Sequence, residues 1–163
     1  MTTCKICEAR SLPFAHAQVL GKYDVAYFQC TNCGFVQTED PYWLTEAYET
    51  PITQSDYGLV ARNIGFAQLT LEVITKLLDV RGRFLDYGAG YGVFAQLMRY
   101  FRLNFESYDR YCENILAPDS VVEELSGTYD LITAFEVFEH WVDPIAELDR
   151  LFQQTSNLLL STE

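Results

Sequence analysis

No apolar run in this 163-residue chain approaches the ~18–20 residues that a membrane span requires, so no transmembrane helix is expected. Basic residues are scarce: 11 Lys and Arg stand against 23 Asp and Glu, a formal net charge of −12. A duplex-binding protein needs a basic stripe to displace counterions from phosphate, and none is visible. The same deficit argues against binding to an anionic membrane surface. Internal repeats and low-complexity tracts are missing. The opening residues, Met1-Thr2-Thr3-Cys4-Lys5, lack a basic segment followed by an apolar one. No secretory leader is therefore expected, and the cytoplasm is the expected compartment. What is present is a globular composition, 49% hydrophobic and 15% aromatic with a mean hydropathy of −0.02. It is too apolar for a disordered chain and suits one domain with at most a small appendage. Residues 1–105 hold 10 acids and 9 bases, whereas residues 106–163 hold 13 acids and 2 bases. That excess reads first as a contribution to solubility.

Three stretches follow from the residue pattern. Residues 1–40 are turn-rich and carry cysteines. Residues 41–80 form a helical linker and the first helix of the following fold, and residues 81–163 alternate strand and helix signals. Tyr23–Cys30 and Phe35–Gln37 read as a hairpin around the turn Thr31–Gly34. Trp43–Tyr48 reads as one or two helical turns. Ser55 and Asp56 are candidate N-caps for a helix reaching Asp79, along which Leu59, Val60, Ile64, Phe66, Ala67, Leu71, Ile74, Leu77 and Leu78 keep a helical period. Gly65 either weakens that helix or permits close packing against a neighbour. Strands are expected at 83–87, 104–109, 129–135 and 157–161, with a very short one at 121–122. Helices are expected at 93–101 and from Pro144, capped by Asp143, to about Gln153; residues 111–117 form at most a short helix. Strands alternating with helices imply a parallel sheet, and ligands bind beyond the carboxyl ends of such strands. Asp86, Asp109 and Glu136 stand at those ends.

Five cysteines are present, and four form two C-x-x-C pairs: Cys4 with Cys7, and Cys30 with Cys33. Each pair turns two sulfurs to one side, and four thiolates make a closed tetrahedral zinc site. The intervening 22 residues are close to the zinc-ribbon range. A structural Zn²⁺ is therefore expected, holding together a module too small for a large core. Cys112 has no sequence partner and reads as a small buried apolar side chain.

Asp86-Tyr87-Gly88-Ala89-Gly90-Tyr91-Gly92 follows a strand and opens a helix. The dinucleotide fingerprint requires a third glycine where Val93 stands, so a dehydrogenase is a poor reading. An acid before the first glycine would repel a pyrophosphate but suits an ammonium group. Asp109, 23 residues later, can accept both hydroxyls of a ribose. A cationic, ribose-bearing ligand without phosphates meets both conditions, and S-adenosylmethionine is such a ligand.

Three segments resemble the class I S-adenosylmethionine-dependent methyltransferases: Leu85–Gly92, the acid Asp109, and Tyr129–His140. Asn157–Thr162 resembles the family's fifth strand. The preceding cysteine pairs resemble those of bacterial members, sugar C-methyltransferases among them. The resemblance covers roughly residues 55–163. It implies an α/β fold: a Rossmann-like parallel sheet with flanking helices, lacking the last strands and preceded by a zinc-ribbon-like module. By the same resemblance Asp86, Tyr87, Gly88, Gly90 and Gly92 line the methionine and ribose side, Asp109 holds the ribose, and Phe135 and Glu136 lie near the methionine end. About 20 residues separate Asp109 from Tyr129, fewer than a full crossover and third strand need. The adenine pocket is usually built there.

Glu136-x-x-Glu139-His140 admits three readings: a packed turn after the strand, a general base in His140 or Glu136 that deprotonates an acceptor, or a divalent-metal site like that of small-RNA 2′-O-methyltransferases. Tyr87, Tyr91, Tyr108 and Tyr111 either wall a pocket or touch the sulfonium by cation–π contact, or pack in the core or at its rim. The expected activity is methyl transfer to a small-molecule or sugar acceptor. The rival is a non-catalytic interaction module with a degenerate cofactor fold. The expected sixth and seventh strands are absent, so 163 residues read as a fragment. The apolar strand Leu158–Leu160 at an open edge is an expected route to homo-oligomers.

Overall fold

In the computed structural model, which describes residues 2–47 and 58–162, an antiparallel and a parallel sheet form in separate parts of the chain. The chain divides into two units, Met1–Thr50 with Val142–Glu147, and Pro51–Trp141 with Leu148–Glu163.

The first unit holds β1 (Thr2–Thr3), β2 (Arg10–Val19), β3 (Tyr23–Cys30) and β4 (Val36–Thr38), paired antiparallel in that order. The expected hairpin is β3 with β4, Phe28 opposite Gln37. Strand β2 has no counterpart among the expected strands, and it contains Pro13, which has no N–H for a ladder. The strand tolerates it in two ways. Its register against β3 shifts between Pro13 and Ala15, and β1 pairs only with Arg10 and Ser11. Leu20 and Gly21, both at positive φ, join β2 to β3, and the Lys22 N–H donates to Val19 O across 3.2 Å. That is a primed turn, which suits the twist of a hairpin. Helix α1 is Leu44–Ala47; the expected last residue of that helix, Tyr48, and the candidate caps Ser55 and Asp56 lie outside the described residues.

The second unit contains α2 (Leu59–Leu77), β5 (Arg83–Tyr87), α3 (Val93–Tyr100), β6 (Asn104–Tyr108), β7 (Leu131–Ala134) and β8 (Leu158–Leu160). Helix α4 (Pro144–Phe152) precedes β8 and takes its first four residues from the first unit. The sheet order is β6-β5-β7-β8, all parallel. A parallel sheet must be covered on both faces. Phe84, Phe105 and Leu131 pack beneath Ala67 and Ile74 of α2 and Phe94 and Met98 of α3. Leu85, Ile132 and Ala134 face the other way, with Tyr87, Tyr129 and Leu151. This is the expected Rossmann-like arrangement. At the amino ends of the strands, Arg83 grips Glu106 with two hydrogen bonds of 2.8 and 2.7 Å and stacks over the Tyr129 ring. The Asp143 carboxylate accepts the Ala146 N–H at 3.1 Å, capping α4 as expected.

Three expectations are narrowed. Helix α2 buries Ala67, Thr70 and Ile74, while Val60, Ile64 and Leu77 stay exposed, so its buried face is narrower than its apolar pattern. Gly65 has no atom within 4 Å of where a Cβ would lie, so it serves no close packing. Residues 111–117 contain no helix; a 3₁₀ turn follows at Pro118–Ser120, and the expected strand at 121–122 is one parallel bridge from Val121 to Ser107. No helix among the described residues is long and apolar enough to cross a membrane.

Candidate functional sites

The four cysteine sulfurs of the first unit lie within 4.8 Å of one another. Cys4 Sγ is 3.7 Å from Cys33 Sγ, and Cys7 Sγ is 3.5 Å from Cys30 Sγ. Two turns of one design bring them together. The Cys4 N–H donates to Ala9 O and the Glu8 N–H returns to Cys4 O; Cys30 N–H donates to Phe35 O and Gly34 N–H returns to Cys30 O. Glu8 and Gly34 occupy equivalent positions, both at positive φ. In each turn the third residue of C-x-x-C donates its N–H to the first sulfur, Ile6 to Cys4 at 3.4 Å and Asn32 to Cys30 at 3.3 Å. Such bonds stabilise thiolates. The Cys33 N–H, with that of Asn32, holds the Cys30 thiol down at about 6. Among the described residues this is the only group of three or more Cys, His, Asp or Glu whose ligand atoms converge. It can hold a metal ion.

In the second unit the loop after β5 carries Gly88, Gly90 and Gly92 at φ values of 76, 53 and 84°. Only glycine takes this conformation repeatedly without strain. Two of the three also lie hard against side chains. A Cβ on Gly88 would lie 2.5 Å from a Val137 methyl, and one on Gly92 would lie 2.1 Å from Asn114 Oδ1. Asp109, just past β6, anchors the loop: Oδ2 accepts the Gly90 N–H at 2.8 Å, and Oδ1 accepts the N–H groups of Tyr111 and Cys112.

Asp86 is 4% exposed. Its Oδ1 accepts the Thr133 hydroxyl at 3.4 Å, whereas Oδ2 is buried without a hydrogen-bond partner. Burial, with the nearby charge of Asp109, pushes its carboxyl up to about 7. Tyr87 points to the opposite face, stacked on Tyr108 at 5.4 Å and edge-on to Trp141, so its ring is core packing. Phe135 stacks on Phe66 at 4.3 Å and meets Phe94 edge-on.

Glu136 has a φ of 55°, rare for a residue other than glycine. Its N–H donates to Ser161 Oγ at 3.0 Å, and its carboxylate accepts the Ser161 hydroxyl. Phe138–His140 is a single 3₁₀ turn rather than an α-helix, and Glu139 and His140 are exposed on it. Glu136, Glu139 and His140 therefore share no helical face. Their ligand atoms do not converge as a metal site requires.

A cavity of about 340 Å³ opens beside Asp109, lined in part by Ala89, Ser107, Cys112, Glu113, Asn114 and Val121. Cys112 therefore stands half-exposed at a cavity wall rather than in a core, and burial pushes its thiol up to about 11. Behind the cavity is a closed ring of hydrogen bonds that sequence reasoning did not find. Asn114 Nδ2 donates to Ser107 Oγ, Ser107 to Ser120 Oγ, Ser120 to Ala117 O, and the Ala117 N–H back to Asn114 Oδ1, all between 2.6 and 2.8 Å. The ring stands in the connection between Asp109 and Tyr129, which is too short for a full crossover helix and third strand. No local pattern marks it, since Ser107 lies in β6 and Asn114 and Ser120 stand apart in the connection.

A family model described as a methyltransferase domain matches residues 61–162. Seventeen chains of solved structures match. One is a crystal structure of coclaurine N-methyltransferase bound to N-methylheliamine and SAH, 20% identical with a TM-score of 0.47; the match covers 67% of this chain and 38% of that one. The chain thus spans well under half the length of that enzyme. Among curated proteins none matches. The family match runs from the first turn of α2 to beyond β8 and takes in the whole parallel sheet: this chain belongs to the methyltransferase-domain family.

Proposed function

We propose that the parallel-sheet unit binds S-adenosylmethionine and directs its methyl group to a small-molecule acceptor, a sugar being one such class. The observation that carries this reading is Asp86. A buried carboxylate oxygen without a partner is costly, and a ligand ammonium group placed there relieves the cost. Asp109 uses three of a carboxylate's about four lone pairs on backbone N–H groups, two on Oδ1 and one on Oδ2, which leaves Oδ2 one for a ribose hydroxyl. Ala89, Ser107, Pro118 and Val121 wall part of the adjoining cavity, where the nucleoside would lie. Gly88, Gly90 and Gly92 supply the turn, and Phe135 and Glu136 border the methionine end. The bound cofactor supplies an electrophilic methyl group on a sulfonium centre. The protein's part is to align donor and acceptor. Glu136 is engaged by Ser161, so the exposed imidazole of His140 is the better candidate to take a proton from the acceptor.

For the cysteine site we propose a structural zinc ion in a cytoplasmic protein. Tetrahedral bonds of ~2.3 Å require sulfurs ~3.8 Å apart, close to the 3.5 and 3.7 Å observed. Four thiolates leave no open position for chemistry.

Calorimetry with S-adenosylhomocysteine tests the cofactor reading. Asp109→Ala is expected to weaken binding by ~1–3 kcal/mol. An unchanged affinity in that variant refutes the assignment.

A further inference from the structure

We propose that Glu136 and Ser161 form a latch that fixes the segment after β7 over the glycine loop, making both positioning residues for the cofactor site; this rests on the cofactor reading above. One hydroxyl closes the latch. Ser161 Oγ accepts the Glu136 N–H at 3.0 Å and donates its own proton to the Glu136 carboxylate. The Ser161 N–H donates to Ala134 O at 3.3 Å, which extends the β7–β8 pairing one step past Leu160. The two residues are 25 positions apart, so the latch joins the ends of two neighbouring strands.

Its effect is on the backbone. Glu136 is held at a φ of 55°, a left-handed conformation that a glutamate does not keep unaided. That turn sends Val137 back over the loop, where its methyl group covers Gly88. The chain then makes its 3₁₀ turn and sets the Trp141 indole against Tyr87 and Phe138. Glycine alone would satisfy the turn without strain. A glutamate at this position adds the acceptor that orients Ser161. Its carboxylate is thereby used to hold the segment rather than to take a proton from an acceptor.

The test uses the full chain carrying Trp43→Phe, which leaves Trp141 as the sole indole. Calorimetry with S-adenosylhomocysteine and Trp141 emission are read together. Ser161→Ala is expected to weaken binding about tenfold and to shift the emission to the red. Ser161→Thr keeps the hydroxyl and is expected to restore both, with affinity within about twofold of the parent. Glu136→Gly keeps the turn without the carboxylate and is expected to lose about threefold; it decides the matter if Ser161→Ala does not fold. Ser161→Ala binding as tightly as the parent with unmoved emission overturns the latch, as does Ser161→Thr no better than Ser161→Ala. If Ser161→Ala does not fold, Glu136→Gly binding as tightly as the parent overturns it too. A parent chain that binds no S-adenosylhomocysteine overturns the cofactor reading and the latch together, a result distinct from those three.

Discussion

Asp86 gives the sheet unit a pH dependence that can be worked out in advance. Its carboxyl is buried with one oxygen unpartnered, and burial raises it from 3.8 to about 7. The unfolded chain releases this proton near 3.8, whereas the folded chain holds it until about 7. The stabilising contribution is therefore complete below the unfolded value, declines as pH rises through the folded value, and is gone above it. Integrated between pH 5 and pH 8, the loss is ~2.5 kcal/mol. Asp86→Asn cannot titrate. Its stability relative to the unsubstituted chain should therefore rise by ~2.5 kcal/mol between pH 5 and pH 8. Taking this difference cancels the carboxylates, such as Glu106, whose paired state shifts them in the opposite direction. Urea unfolding at the two pH values, followed by Trp141 fluorescence in the Trp43→Phe background, measures it. A variant-to-parent difference equal at both pH values, within about 0.5 kcal/mol, would refute the account of Asp86 as a desolvated acid. The same ionisation bears on binding: a ligand ammonium group requires the carboxylate, so affinity should rise with pH up to about 7 and be accompanied by proton release.

Two glycines make opposite predictions. Gly92→Ala forces a side chain into a left-handed position and onto Asn114, and should cost ~2–4 kcal/mol by urea unfolding. Gly65→Ala, in open space within α2, should add ~0.5–1 kcal/mol; equal effects from the two would refute the assigned environments. For the cysteine site, metal analysis should find about one zinc per chain. Chelation should then abolish the β1–β4 hydrogen-exchange protection while leaving that of β5–β8. Protection of β1–β4 that survives complete metal removal would remove zinc from the account.

Much of the parallel sheet was legible because each strand carries its own signal. Arg83–Tyr87 centres on Phe84 and Leu85 and is stopped by glycines, and Asp143-Pro144 marks a helix start by its own chemistry. Strand β2 was not legible, since a proline inside a pattern argues against a strand unless a register shift and a short neighbour are known in advance. Helix α2 shows the converse. Its apolar residues spread beyond one face, and only contact with β5 and α3 selects Ala67, Thr70 and Ile74 for burial. Glu136-x-x-Glu139-His140 left a packed turn, a general base and a metal site open, and only the 3₁₀ turn at Phe138–His140 shows that the three ligand groups do not converge.

The sequence by itself determined the features whose geometry is closed within a few residues. These are the two cysteine turns, set by a spacing that brings two sulfurs to one side, and the glycine loop, where a positive φ recurs at alternate positions. The placement of Asp86 and Asp109 at strand ends is of the same kind. The tertiary structure decided what depends on partners far along the chain: which oxygen of Asp86 is left without a donor, how Asn114, Ser107 and Ser120 replace a crossover, and that Ser161 closes on Glu136. Local propensity cannot specify such pairings. Their entropy cost is offset only when the sheet has already brought the strand ends together.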